Sequence, residues 1–311
     1  MSRRLRFSRA FVVLLFAGVA SDCGGQVVGY DPDALPLPDG PWPVIVDAAP
    51  DVEPEPTYPC SEVGKLVYVI SHDERLYRFD PPSRQFTLVA TIECPGPGYP
   101  FSMAVSRKDI AYVLYYEPSP SWTCVGLNAV NIDTGECLGQ TDFRCDNPAG
   151  FQLFGMGYAT DGPDTDAETL YISAGWSQSP SLAALDPEEG TVTPIAQLPS
   201  QSQAEMTGNS RGELWGFFGW DEPKFLAQID KVSGALSDVV ELPQLSSDQG
   251  TAVAHWGGDF FFFWSAGSSG DVYRVSGGSV QHHATFPFQV VGAGVSTCAP
   301  EEMPPVDAGA P

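Results

Sequence analysis

Residues 182–195 read Leu-Ala-Ala-Leu-Asp-Pro-Glu-Glu-Gly-Thr-Val-Thr-Pro-Ile. Apolar and polar residues alternate on both sides of the turn from Asp186 to Gly190, which is the pattern of a β-hairpin. The pattern returns elsewhere in the chain, at residues 76–89, 127–135, 226–234 and 272–278. These stretches indicate a repeat protein built from similar β units.

The repeat has the length of a β-propeller blade. The hairpin residues Asp80, Asp133, Asp186 and Asp230 are separated by 53, 53 and 44 residues. Each hairpin is preceded by another strand. In every unit except the first, that strand is itself preceded by a strand of small residues, at 101–106, 154–158, 204–208 and 250–254. A period of this size with four strands per unit is typical of propellers, in which small residues line the crowded axis.

The first unit lacks an innermost strand on its N-terminal side, and an unused strand of the same kind occurs at residues 288–296. An open ring would expose an unpaired strand edge, so we expect the last strand to complete the first blade. The sequence therefore predicts an all-β fold, a five-bladed β-propeller of four-stranded blades over residues 60–298.

The cysteine positions favour the same closure. Cys60 and Cys298 flank the first blade and its completing strand, and we expect them to form a disulfide. Counting outward from the 133–136 turn places Cys124 opposite Cys145. Cys94 and Cys137 then pair by elimination, although the strand directions place them at opposite ends of their blades.

The N-terminus resembles an export signal. Basic residues 2–9 precede an apolar stretch at 11–20 that is too short to span a bilayer as a stable helix. The stretch is followed by Cys23, in a context similar to a bacterial lipobox, although Asp22 replaces the usual small residue. The chain has seven cysteines, and a lipidated Cys23 would leave an even six. The alternative is ordinary cleavage nearby.

The propeller is flanked by segments of a different composition. Residues 24–59 are rich in Pro and acidic residues, which predicts a disordered tether, and residues 299–311 are predicted to be a disordered tail. The organisation is therefore a signal at 1–23, a tether, a propeller and a tail. It predicts an exported lipoprotein at the outer membrane or facing the periplasm, or alternatively a secreted protein.

The charge and the common motifs exclude several classes of function. A formal net charge of −24 argues against a nucleic-acid partner. Phosphate-binding glycine loops and nucleophile elbows are absent, and the adjacent residues His282 and His283 point to opposite faces of a strand. We therefore predict no catalytic residues, no metal and no cofactor. Two features stay open: a general acid–base group at residues 72–75, with His255 near the channel, and calcium binding by the acidic loop 161–168.

Several stretches carry a family resemblance, at residues 94–95, 100–105, 154–157, 168–171 and 291–300. They are similar to an uncharacterised family of secreted, often lipidated propeller-like proteins from Gram-negative soil bacteria. The resemblance implies the fold and export but no chemistry. The hairpins also resemble those of quinoprotein-like propellers, but the tryptophan-docking motif of those blades is absent, so we expect no quinone cofactor.

The loops after the second strand of each blade are the predicted binding face. They carry four tryptophans and one histidine: Trp122, Trp176, Trp220, Trp264 and His72. Exposed tryptophans suit sugar rings or partner side chains, whereas buried ones would pack between blades. We expect a monomeric binding or scaffold module for a cell-surface glycan or protein, with membrane contact only through the lipid anchor. The alternative is a propeller enzyme of the lactonase, glycoside hydrolase or lyase type, and a purely structural role is also open.

Overall fold

The computed structural model describes residues 59–119, 122–175, 181–200, 202–245 and 251–304. The predicted signal, lipidation site and nearly all of the tether lie outside these residues. Within them, the only helical segment is a single turn of 3-10 helix at Val63–Lys65, and no helix is long and apolar enough to cross a bilayer.

Twenty strands form the described part of the fold. The first seven are β1 (Val67–Ser71), β2 (Arg75–Asp80), β3 (Gln85–Thr91), β4 (Tyr99–Val105), β5 (Ile110–Glu117), β6 (Thr123–Asn131) and β7 (Cys137–Gln140). The next eight are β8 (Gly155–Thr160), β9 (Glu168–Ser173), β10 (Leu182–Asp186), β11 (Thr191–Ala196), β12 (Glu205–Gly208), β13 (Leu214–Phe218), β14 (Phe225–Ile229) and β15 (Leu236–Glu241). The last five are β16 (Thr251–Trp256), β17 (Asp259–Ala266), β18 (Ser269–Ser276), β19 (Ser279–Phe286) and β20 (Val290–Val295).

These strands make five antiparallel sheets of four, so the predicted five-bladed propeller is confirmed. Blades 2 to 5 are β4–β7, β8–β11, β12–β15 and β16–β19, each in chain order. Blade 1 has the order β20-β1-β2-β3, and Val67 on β1 is paired with Val295 on β20. The C-terminal strand therefore completes the first blade, as the unused strand predicted.

The hydrophobic core is divided among the interfaces between blades. Each of five apolar clusters joins one pair of neighbouring blades, and the cluster between blades 5 and 1 contains residues of β20. The second strand of each blade is packed on both faces, so β1 is buried along its whole length. The innermost strands also approach each other closely. A Cβ atom on Gly157 of β8 would lie 2.8 Å from the Met206 carbonyl of β12, so only glycine fits there.

The three predicted disulfides are present, with Cα–Cα distances of 5.4 Å for Cys60–Cys298, 5.3 Å for Cys94–Cys137 and 5.6 Å for Cys124–Cys145. The count that predicted Cys124–Cys145 assumed that Cys137 lies opposite Ile132. In the structure a bulge at residues 129–130 places Cys137 opposite Val130 instead.

The Cys94–Cys137 bridge corrects the expectation that its cysteines lie too far apart. Gly135, in the turn before β7, has a positive φ of +73°, and a Cβ atom there would lie 2.3 Å from the Cβ of Ala90 on β3. A twist of roughly 20–25° per strand accumulates across a blade, so the outermost strand is inclined towards the neighbouring blade. The end of β3 therefore meets the opposite end of blade 2.

One end of the ring, here called the lower face, carries the turns between the first and second strands of each blade. Residues 296–303 run across it. Thr297 donates to Glu168 over 2.7 Å and accepts from Arg107, Gly257 donates to the Pro300 carbonyl, and Glu301 accepts from Ser210 over 2.6 Å. These contacts link all five blades. The segment 299–304 is thus part of the domain, and the predicted disordered tail was placed too early.

Candidate functional site at the upper face

The opposite end of the ring, here called the upper face, carries the loops after the second strands and contains a cavity of about 320 Å³ at the axis. Blades 1, 2, 4 and 5 contribute to it, so only the closed ring creates it. The lining residues are His72, Pro100, Phe101, Tyr116, Trp122, Gln203, Glu205, Phe217, Gly219, Trp220, Thr251, Gln289 and Val291. We call this space the upper cavity.

One wall of the upper cavity is a series of stacked rings from blades 1 and 2. The Trp122 ring stacks on Tyr116 with centroids 4.7 Å apart, and His72 stacks on Tyr99 at the same distance. Phe101 meets the edge of Tyr116 at 5.7 Å. Aromatic contacts of this kind hold ring planes in fixed orientations. This wall therefore offers a preformed apolar surface.

Trp220 belongs to blade 4, at another part of the cavity. Trp220 is 64% exposed, and Trp122 is 60% exposed. A tryptophan required for packing between blades would be buried, so these two indoles are not core residues. Their rings are available to a ligand.

The remaining predicted face residues are distributed differently. His72 borders the upper cavity, and its backbone N–H donates to the Gln289 carbonyl over 2.8 Å, which fixes the β1–β2 turn to the start of β20. Trp264 on β17 is only partly exposed, has a buried indole N–H, and does not border the cavity. Trp176 lies outside the described residues.

Glu205 is the residue of the upper cavity that sequence reasoning missed. It begins β12, pairs with Phe217 of β13, and retains partial exposure through the cavity. Among the described residues its carboxyl group has no hydrogen-bond or ion-pair partner. Burial in these surroundings raises the pKa of Glu205 to about 8, because desolvation disfavours the charged form.

The polar side chains in the described lining of the cavity are few and mostly uncharged. Gln203, Gln289 and Thr251 supply amide and hydroxyl groups, and the described lining contains no Lys or Arg. Glu205 is its one carboxyl group. Glycoside hydrolysis commonly uses two carboxyl groups on opposite sides of the scissile bond. The described lining does not provide such a pair.

The histidines considered for acid–base chemistry do not meet. His72 and Thr251 both border the upper cavity. His255 lies four residues after Thr251 on β16, which places it roughly 13 Å from Thr251 at the usual rise per residue. His255 is buried against Phe260, and burial lowers its pKa. Asp73 accepts from Ser71 and pairs with Arg75. The described residues therefore form no His72–Asp73–His255 site.

The acidic loop 161–168 makes contacts within the protein. Asp166 pairs with the buried Arg107 over 2.7 Å, Asp161 accepts from Thr169, and Glu168 accepts from the Arg107 backbone N–H. In the part of the chain that the structure describes, no three His, Cys, Asp or Glu residues form a group that could hold a metal. The loop's observed contacts are structural, connecting blades 2 and 3.

The outer side of Trp220 borders a second depression, of about 560 Å³, on blade 4. Its lining includes three acidic residues, Asp221, Glu222 and Glu241. Glu222 pairs with Lys224 at 2.5 Å. Lys224 offsets the charge of Glu222 alone, so Asp221 and Glu241 leave the approach to the upper cavity on this side acidic.

Comparison with known proteins adds structural neighbours. No protein-family model and no curated protein matches the chain. Among solved structures it is similar to a chain of the nidogen/laminin complex, with a TM-score of 0.45 and 11% identity over 74% of this chain and 97% of that one. It is also similar to a catalytically inactive virginiamycin B lyase from Staphylococcus aureus with quinupristin, with a TM-score of 0.39 and 13% identity over 72% of this chain and 71% of that one. A putative TolB from Agrobacterium tumefaciens is similar with a TM-score of 0.42 and 11% identity over 78% of this chain and 86% of that one.

Proposed function

We propose that this chain is an exported, lipid-anchored binding module that takes part of a cell-surface glycan or protein into the upper cavity. The observation that carries the proposal is the convergence of two exposed tryptophans, Trp122 and Trp220, on one cavity with amide and hydroxyl groups. Concave sites with aromatic walls and a few polar groups are typical of ligand sites. Such a module acts as a monomer, has no nucleic-acid partner and needs no cofactor.

Removal of either tryptophan ring should abolish most of the binding. We expect Trp122→Ala and Trp220→Ala each to weaken binding by about thirtyfold, since central aromatic anchors contribute about 2 kcal/mol. The measurement is a screen of the mature full chain against glycans and cell-wall fragments, followed by titration of the best one.

The control for these variants is Leu138→Ala, which truncates an exposed apolar side chain on β7 away from the cavity. Its affinity and the melting temperatures of all three variants should equal those of the wild type. Unchanged affinity in both tryptophan variants would contradict the proposed site. Conversion of a bound sugar or lactone into product would instead support the alternative of a propeller enzyme.

The cysteine pairing supports export and the anchor. Three disulfides indicate an oxidising, extracytoplasmic compartment. They use six of the seven cysteines and leave Cys23 as the one outside them. A lipid attached at Cys23 would hold the propeller at a membrane, with residues 24–59 as the connection.

We expect the mature protein to begin at an acylated Cys23. Mass spectrometry of its N-terminal peptide should show the added acyl chains, and Cys23→Ala should move the protein from the membrane fraction to the soluble fraction. A mature N-terminus beyond Cys23, without lipid, would contradict the anchor and favour a freely secreted protein.

A further inference from the structure

The upper cavity contains a carboxyl group, that of Glu205, with no partner among the described residues. Buried ionised groups are normally paired, because loss of hydration is costly unless a hydrogen bond or an opposite charge replaces it. Glu205 has neither among the described residues, although Gln203, Thr251 and Gln289 border the same cavity. A ligand that supplied a positive charge would complete its interactions.

The other groups around the cavity also favour a positive charge. The faces of aromatic rings carry partial negative charge and attract ammonium groups, most strongly for tryptophan. Phe101, Tyr116, Trp122, Phe217 and Trp220 border the space that Glu205 borders. The described lining has no Lys or Arg to compete with a ligand cation or to repel it.

The charge outside the cavity acts in the same direction. Asp221 and Glu241 lie on the outer side of Trp220, beside Glu222, whose charge is paired with that of Lys224. The whole chain has a formal net charge of −24. A surface of one sign raises the local concentration of oppositely charged ligands. An anionic ligand would meet repulsion on the same path.

We propose that the upper cavity binds an organic cation, whose ammonium group is held by the Glu205 carboxylate and lies among the aromatic side chains of Trp122 and Trp220. This inference rests on the proposed function, because both place the ligand in the same cavity. A volume of about 320 Å³ admits a ligand of the size of choline or of one amino sugar. The ligand class is therefore a small ammonium compound, or the ammonium-bearing unit of a larger glycan.

The experiment compares choline with its uncharged isostere, in which a carbon atom replaces the ammonium nitrogen. Titration of the mature full chain should show choline binding at least tenfold more tightly than the isostere. In Glu205→Gln this preference should disappear, because the amide keeps the size of the side chain but not its charge. Glu189→Gln, which removes an exposed charge from the β10–β11 turn, should keep the preference.

The pH dependence provides a second measurement, because the charge of choline does not change with pH. Burial raises the pKa of Glu205 to about 8, so the carboxyl is mostly neutral at pH 6 and ionised at pH 9. The affinity should fall about tenfold per unit below that pKa, or about hundredfold at pH 6. In Glu205→Gln this hundredfold fall should be absent.

Other ionisable groups face the same space. His72 and Tyr116 border the cavity, and Asp221, Glu222 and Glu241 lie beyond Trp220. Histidine normally gains charge as the pH falls and would also repel a cation. The variant His72→Gln separates the two groups. A pH dependence that survives in it belongs to Glu205, and one that vanishes overturns the assignment.

The outcomes distinguish this inference from the proposed function. Equal affinity for choline and its isostere, or a preference that survives in Glu205→Gln, overturns the cation site. If a neutral glycan still binds and depends on Trp122 and Trp220, the proposed function stands without the cation. Glucosamine and its neutral N-acetyl derivative provide the same charge comparison on a sugar and identify an amino sugar as the source of the ammonium group.

Discussion

A chain that ends at residue 287 should lose cooperative unfolding altogether. The deletion removes β20, which pairs with β1 along its length and contributes Val290, Ala293 and Val295 to the cluster between blades 1 and 5. Without it, β1 becomes an unpaired apolar edge and the lower-face contacts of residues 296–303 are lost. Thermal and urea unfolding, followed by circular dichroism, should show a broad transition or aggregation in place of a single sigmoidal one.

Two further variants distinguish the effect of losing β20 from the effect of shortening the chain. A chain that ends at residue 304 keeps every described contact and should melt as the full chain does. A circular permutant that begins at Phe288, with a short linker joining residue 298 to residue 60, should also unfold cooperatively. The Cα atoms of these two residues are 5.4 Å apart, so the linker is not strained. Normal melting of the chain that ends at residue 287 would contradict ring closure by β20.

The blades could be predicted from sequence because each is a local unit. The hairpin at residues 182–195 becomes β10 and β11, and the second strand that was predicted before the 226–234 hairpin is β13. The alternation of apolar residues and the turn chemistry act within a few residues, so they are visible in the chain itself. Closure could be predicted as well, because one unit lacked a strand and another segment had no partner.

The upper cavity could be predicted only in part. Trp122 and Trp220 were predictable as a face, since equivalent loops of a ring lie at the same end. Glu205 was not, because a single acidic residue at the start of a small-residue strand carries no local signal. Its significance depends on closure of the ring, which places blade 4 and blade 2 around one cavity. The Cys94–Cys137 pair and the packing of residues 299–304 depend on blade twist and long-range contacts in the same way.

Removal of the Cys60–Cys298 disulfide should destabilise the protein more than removal of either other bridge. The sequence separations of the three pairs are 238, 43 and 21 residues for Cys60–Cys298, Cys94–Cys137 and Cys124–Cys145. In the chain-entropy model a bridge restricts the unfolded chain more when its loop is longer. The expected losses on changing each pair to serine are therefore roughly 5, 4 and 3 kcal/mol. Urea unfolding of the three double variants measures them.

The order of the three losses tests whether the closing bridge acts on the unfolded state or on the native ring. Each double variant keeps the other two bridges, so the variants serve as controls for one another. An entropic effect also predicts a larger dependence of the unfolding free energy on urea in the variant without Cys60 and Cys298, because its unfolded chain is less compact. If this variant lost much more than 5 kcal/mol without that change, the bridge would act by holding β20 and the lower-face segment in place. If it lost less than the variant without Cys124 and Cys145, the hydrogen bonds between β20 and β1 would suffice to close the ring.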